Sequence, residues 1–110
     1  MADDNTLGRD EEPNRSMIDA LDEPVLLEFG ASWCGYCQAA QPLIAEALAA
    51  HPDLSHLRIE DGPGRRLGRS FRVKLWPTLI LMHRGTELAR LVRPGNPREI
   101  AAALATLPHA

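Results

Sequence analysis

The sequence predicts an α/β fold in which a mixed sheet of four or five strands is flanked by helices. Three observations carry that expectation. A strand–helix–strand passage runs between residues 25 and 60, two β-rich runs flank the turn Arg84-Gly85-Thr86, and a capped amphipathic helix closes the chain. The first passage calls for a right-handed parallel unit. The hairpin adds antiparallel strands, and the helices must then pack on the sheet to bury its apolar residues.

Each element has a local reason. Val25–Phe29 follows Pro24 and is nearly all apolar, as suits a strand covered on both faces. Gly30–Cys37 carries two glycines and reads as a loop entering a helix. From Tyr36 to Ala50, Ala39, Ala40, Leu43, Ile44, Ala47 and Leu48 recur at three- and four-residue spacing, the mark of an amphipathic helix, with Pro42 set to bend it. Leu54–Glu60 is a short strand with Leu57 and Ile59 facing one way, followed by a turn at Asp61-Gly62-Pro63-Gly64. Arg65–Phe71 is a short helix presenting Leu67 and Phe71. Thr78–His83 and Leu88–Val92 form the hairpin, with Leu88 and Val92 expected on one face. Asn96 caps a last helix with Pro97 at its first position, lined by Ile100, Ala101, Leu104 and Leu107.

The amino end differs in character. Residues 1–23 hold eight acids and two bases, a charge of −6, which leaves +3 for the remainder of a chain whose net charge is −3. Residues 1–15, polar, acidic and interrupted by Gly8 and Pro13, read as a disordered tail, and residues 16–110 as the folded domain. Ser16 would cap a short helix over Met17–Leu21, with Met17, Ile18 and Leu21 on one side. At 110 residues, one domain with an ordinary core is expected. No apolar run approaches the ~20 residues of a membrane-spanning helix, so no membrane partner is expected. No secretory leader is visible either, which places the protein in the cytoplasm, or in the periplasm should a leader have been removed.

The two cysteines, Cys34 and Cys37, cannot form a disulfide framework. A bridge between them closes so small a loop that it stabilises little, so reactivity is the better reading. At the start of a helix Cys34 sits at the terminus, where free N–H groups and the helix dipole favour a thiolate. Cys37 lies about one turn further in. Cys34 is then the exposed nucleophile and Cys37 the shielded resolving thiol. Gly35 lets a partner backbone approach, and Tyr36 tunes the relative stability of the two thiols. Two other readings compete with this one, a zinc half-site and inert core cysteines. A structural zinc site wants four ligands, and His51, His56, His83 and His109 show no ligand spacing with the pair.

With these residues in place, the sequence resembles the thioredoxin family over about residues 17–108. Trp33-Cys34-Gly35-Tyr36-Cys37 is similar to its W-C-G-x-C box, Pro42 to its helix-kinking proline, and Trp76-Pro77-Thr78 to its x-Pro-Thr segment. Gly85 and Gly95 match the hairpin glycine and the glycine before the last helix. The resemblance implies a three-layer sandwich and a cis Pro77 lying against Cys34. It also implies a groove walled by Trp33 and Trp76, in which the backbone of Trp76 pairs with an extended substrate. Pro77 read alone would be an ordinary trans proline.

Glu28 stands six residues before the first cysteine, where the family usually has a buried aspartate. The implied role is proton transfer to or from Cys37 through water; the other reading is an edge-exposed carboxylate paired with a base such as Arg58. Three departures stand out. Tyr36 replaces a proline and makes the box look more like that of periplasmic disulfide isomerases, with a more oxidising couple. Trp76 is bulkier than usual and should narrow the groove, and Gly30 replaces a large side chain. The family's first strand is not visible before residue 25.

Arg58, Arg65, Arg66, Arg69, Arg72 and Lys74 form a basic stretch, which either steers acidic partners or is a solvated face. Gly62-x-Gly64 lacks the ending of a phosphate loop, and no aromatics interleave the bases, so nucleic acid is not an expected partner. The function expected is thiol–disulfide exchange on protein substrates by a monomer, without cofactor or metal, recharged by an external reductase. The alternatives are a disulfide isomerase or oxidase of the same fold, and a redox-inert peptide-binding module.

Overall fold

The computed structural model describes residues 6–7 and 12–108. In chain order the elements are β1 (Thr6–Leu7), α1 (Arg15–Asp19), β2 (Val25–Gly30), α2 (Gly35–Leu48), β3 (Ser55–Glu60), α3 (Arg66–Ser70), β4 (Thr78–His83), β5 (Thr86–Val92) and α4 (Pro97–Leu104). They form one five-stranded sheet in the order β1-β3-β2-β4-β5. β1 and β2 run parallel to β3, and β4 runs antiparallel to both β2 and β5, giving the mixed sheet expected.

Alternation along the central strands divides the core in two. Val25, Leu27 and Phe29 of β2, with Ile80 and Met82 of β4, pack against Ile18 of α1 and Leu67 and Phe71 at α3. Leu26, Leu79 and Leu81 point the other way, onto Ala40, Ile44 and Ala47 of α2 and Ile100 and Leu104 of α4. Glu28 shares the α2 side with Leu26 and is the buried acid of that face. Phe29 and Phe71 meet with ring centroids 5.8 Å apart. Arg15 lies over the Phe71 ring at 3.7 Å and donates to the Ser70 carbonyl at 2.8 Å, fastening α1 to α3.

Several local expectations are corrected. The short first helix begins at Arg15, because Asn14 takes the capping position: its side chain accepts the Met17 N–H at 2.9 Å, and the Ser16 hydroxyl donates to Asn14 instead. Of its three apolar residues only Ile18 is buried, while Met17 and Leu21 face solvent. In the segment read as a tail, Thr6–Leu7 pair in parallel with Arg58–Ile59, which is the first strand missing from the sequence reading. The Glu12 carboxylate accepts the Leu67 N–H at 3.0 Å. The rest of that segment, residues 1–5 and 8–11, lies outside the described residues.

The hairpin turns on Arg84 and Gly85 alone, both at positive φ, and Thr86 already belongs to β5. Leu88 and Val92 do not share a buried face. The register shifts between Leu81 and Met82, so that Glu87 and Ala89 take successive partners and Leu88 is bulged. Leu88 then packs on the α2–α4 side while Val92 is exposed. In α4 the Asn96 side chain accepts the Glu99 N–H at 3.0 Å, as expected of a cap, but Ala101 faces solvent.

Candidate active site

The loop from β2 into α2 brings the two cysteines to the end of the sheet. A turn closed by the Cys34 N–H on the Ala31 carbonyl (3.1 Å) sets Cys34 in extended conformation at the N-cap of α2. Its Sγ accepts the Cys37 N–H at 3.2 Å, taking the place an Asp or Ser oxygen fills in an ordinary cap. Both thiols are free. Burial, the hydrogen bond with Cys34 and the nearby charges of Cys34 and Glu28 together push the Cys37 thiol up to about 12, against a smaller lowering by the Ala31 backbone. Cys37 is therefore a thiol at neutral pH.

The expectation of an exposed Cys34 is corrected. Cys34 is 7% exposed and Cys37 6%. Ala31 and the Trp76 side chain pack around them. Trp33, 71% exposed, stands edge-on to Trp76 with centroids 5.4 Å apart. The Trp76 indole is held from behind, its Nε1–H donating to Asp61 Oδ2 at 3.0 Å. The two tryptophans thus form a rim over the thiols.

The Trp76–Pro77 bond is cis, Pro77 and Thr78 are buried, and the Thr78 hydroxyl donates to the Leu75 carbonyl at 2.6 Å. A Cβ added at Gly35 would meet nothing within 4 Å, so the space above that residue is open. At Gly30 the opposite holds: an added Cβ would stand 2.7 Å from Cys37 Sγ. The glycine that departs from the family pattern is the one against which the Cys37 sulfur packs.

Glu28 is 3% exposed on β2 and flanked on both sides by strands, so the edge-exposed alternative does not hold. Its partners answer the cost of burying a carboxylate. Gln41 Nε2 donates to Oε2 at 2.7 Å, His56 Nε2 lies 2.8 Å from Oε1, and Arg58 Nε lies 3.8 Å from the same oxygen. Gln41 also donates to the Cys37 carbonyl at 3.0 Å, linking the acid to the helix turn that carries the Cys37 thiol. Glu28 and Cys37 line one cavity of about 130 Å³.

The sequence motifs do not mark His56 or Gln41 for this site; His56 enters there only among the histidines that show no zinc-ligand spacing with the cysteines. The signal for His56 was its two-residue spacing from Arg58, which puts both on the Glu28 side of β3. His109 lies outside the described residues. Of the basic stretch, Arg65, Arg69, Arg72 and Lys74 line a cleft of about 320 Å³ with Asp61, the acid that holds the Trp76 indole, whereas Arg58 turns to Glu28.

Arg93 is a third site residue that no sequence motif marks. It follows β5 at positive φ, and its N–H donates to the Pro77 carbonyl at 3.0 Å. Its Nε donates to the Trp76 carbonyl at 2.8 Å, and its guanidinium lies over the Tyr36 ring at 3.9 Å. The carbonyl that an extended substrate was expected to meet is already engaged.

Comparison with known proteins agrees with this arrangement. The thioredoxin family model matches residues 8–106. The structure is similar to that of thioredoxin 2 from Pseudomonas aeruginosa PAO1 in its reduced form, with a TM-score of 0.78 and 54% identity, covering 86% of this chain and 88% of that one. Thioredoxin C-3 of Corynebacterium nephridii is 36% identical over 76 residues, which are 69% of this chain and 52% of that protein. A thioredoxin of Alicyclobacillus acidocaldarius is 32% identical over 87 residues, 76% of this chain and 81% of its own length. The chain spans about half the length of the first two curated relatives, the Corynebacterium nephridii protein and thioredoxin H2-1 of Oryza sativa, at 52% and 49%. By its fold, its cysteine pair and these likenesses, the chain belongs to the thioredoxin family.

Proposed function

We propose that this protein exchanges disulfides on protein substrates, with Cys34 attacking and Cys37 resolving. The observation that carries the reading is the cap of α2, where Cys34 Sγ accepts the Cys37 N–H at 3.2 Å. Negative charge on that sulfur is what an N-terminal amide and the helix dipole stabilise. Cys37, pushed up to about 12, keeps its proton and leaves the first attack to Cys34.

In the first step the Cys34 thiolate forms a bond to one sulfur of a partner disulfide. The partner's S–S bond breaks, and its other sulfur leaves as a thiolate that takes a proton. In the second step Cys37 gives up its proton and attacks Cys34 Sγ. A Cys34–Cys37 disulfide forms and the partner's remaining sulfur departs. The partner gains two electrons and two protons, and an external dithiol donor restores the pair.

Glu28 serves as the proton acceptor for Cys37 in this scheme. The two groups share one cavity, whose volume admits bridging water. Trp33, Gly35, Tyr36, Trp76, Pro77 and Thr78 make the substrate face, with the open space over Gly35 receiving the partner backbone. A cytoplasmic monomer supplied by a separate reductase completes the proposal. Among the described residues no helix is long and apolar enough to cross a membrane.

Reduction of insulin disulfides tests the assignment. Cys34→Ser should abolish it, and Cys37→Ser should trap the mixed disulfide; activity surviving in Cys34→Ser refutes the nucleophile. The reduction potential then fixes the direction, since about −270 mV marks a thioredoxin-like reductant and about −120 to −180 mV an oxidant or isomerase.

A further inference from the structure

We propose that Arg93 is a specificity-determining residue which favours partner segments carrying an aspartate or glutamate beside the attacked disulfide. The inference rests on the exchange activity proposed above and adds the class of substrate.

Three contacts place the guanidinium at the mouth of the site. The backbone of Arg93 is anchored to the Pro77 carbonyl, its Nε to the Trp76 carbonyl, and its planar face to Tyr36. Tyr36 stands between the two cysteines in sequence, and Trp76 packs against both of them. Arg93 therefore bridges the two residues that frame the thiols. Its left-handed backbone, uncommon for a residue other than glycine, is held where the side chain can make these contacts.

Only the Nε–H is engaged by the protein among the described hydrogen bonds of this side chain, and the residue is exposed. The Nη donors are left for a ligand. The Asp61 and Glu99 carboxylates have other partners: Asp61 takes the Trp76 indole, and Glu99 accepts from the Asn96 amide and the Gly95 N–H. No ion pair joins Arg93 to an acid among the described residues.

A fork of N–H donors with fixed orientation matches a carboxylate, and because stacking and the Trp76 carbonyl have already ordered the side chain, little freedom is lost on binding. A partner strand lying along Trp76 would bring its flanking side chains past this fork. A carboxylate there gains a charge-assisted contact, and a lysine meets a like charge.

The test uses peptides of one sequence whose single cysteine carries 5-thio-2-nitrobenzoate in disulfide linkage, with Glu, Gln or Lys on either side. Cys34 attacks the peptide sulfur and releases the coloured thiolate; the charge of that leaving group is common to the series and cancels in the ratios. The wild-type protein should react with the Glu peptide about 1.4- to fivefold faster than with the Gln peptide, the range of an exposed charge pair. In Arg93→Gln that preference should fall to about unity, and in Arg93→Glu it should invert in favour of Lys. Discrimination that is absent from the wild type, or unchanged in Arg93→Gln, overturns the proposal. Failure of the exchange reading would look different, as release that persists in Cys34→Ser.

Discussion

Replacing Gly30 with alanine should weaken the fold only while Cys37 keeps its sulfur. The added Cβ would stand 2.7 Å from Cys37 Sγ and 3.6 Å from Cys37 Cβ. Non-bonded heavy atoms settle at about 3.5 Å or more, so the sulfur contact is roughly 0.8 Å too short while the carbon contact is ordinary. The sulfur must yield, and the adjoining cavity of about 130 Å³ gives it somewhere to go. Overpacking of this kind costs about 1–3 kcal/mol, and the lower half of that range applies because a side-chain terminus moves and not a backbone. Against it stands a gain of about 0.4–1 kcal/mol from removing a flexible glycine at a backbone conformation alanine accepts.

The net expectation for Gly30→Ala is a loss of about 0.5–1 kcal/mol, read by urea unfolding of the reduced protein. In a Cys37→Ala background the clash is gone, so the same substitution should stabilise by a few tenths of a kcal/mol or more. The two singles and the double thus form a cycle with a coupling of about 1–2 kcal/mol, the clash itself. Equal effects of Gly30→Ala with and without the Cys37 sulfur would refute the argument that this glycine exists to seat it.

Other outcomes follow from the same geometry. Because the native Cys37 holds its proton up to about 12 while an ordinary thiol loses it near 9.0, the unfolded chain binds fewer protons between those values. Stability present below about pH 9 should therefore decline as pH rises toward about 12, and Cys37→Ser should flatten the decline in denaturant titrations run across that window. His56→Ala removes a 2.8 Å partner from the buried Glu28 and should cost about 1.5–3 kcal/mol, with a smaller cost in a Glu28→Gln background. A cost that is the same in both backgrounds would mean His56 stabilises by something other than the carboxylate. Gly68→Ala places a Cβ against the Asp61 carboxylate, which must then release the Trp76 indole. In Trp33→Phe protein, where Trp76 is the sole tryptophan, its selectively excited fluorescence should shift; an unmoved spectrum counts against the relay.

The parts of this protein that were legible in its sequence are those whose physics is local. Two cysteines one helical turn apart, a proline before a β-rich run, and Asn96-Pro97 opening a helix each state their own geometry within a few residues. What escaped notice depends on pairing between distant segments. His56 becomes a partner of Glu28 only through the register of β3 on β2. Arg93 reaches Tyr36 across 57 positions of chain because the return of β5 beside β4 carries it there. β1 is two residues long, too short to show any alternation. The bulge at Leu88 likewise reversed an inference drawn from strict period-two spacing. Even the exposure of Cys34 was misjudged for this reason, since the indole that covers it arrives from the segment before β4.

The sulfur that caps α2 is also the atom the proposed reaction consumes. Once Cys34 is tied into a bridge its sulfur is repositioned toward Cys37 Sγ and is a weaker acceptor than a thiolate, and its grip on the Cys37 amide slackens. Oxidation would therefore be written into the opening turn of the longest helix as a change in how readily that amide trades its hydrogen with water. A backbone reporter of redox state is built into the fold, readable without touching either thiol.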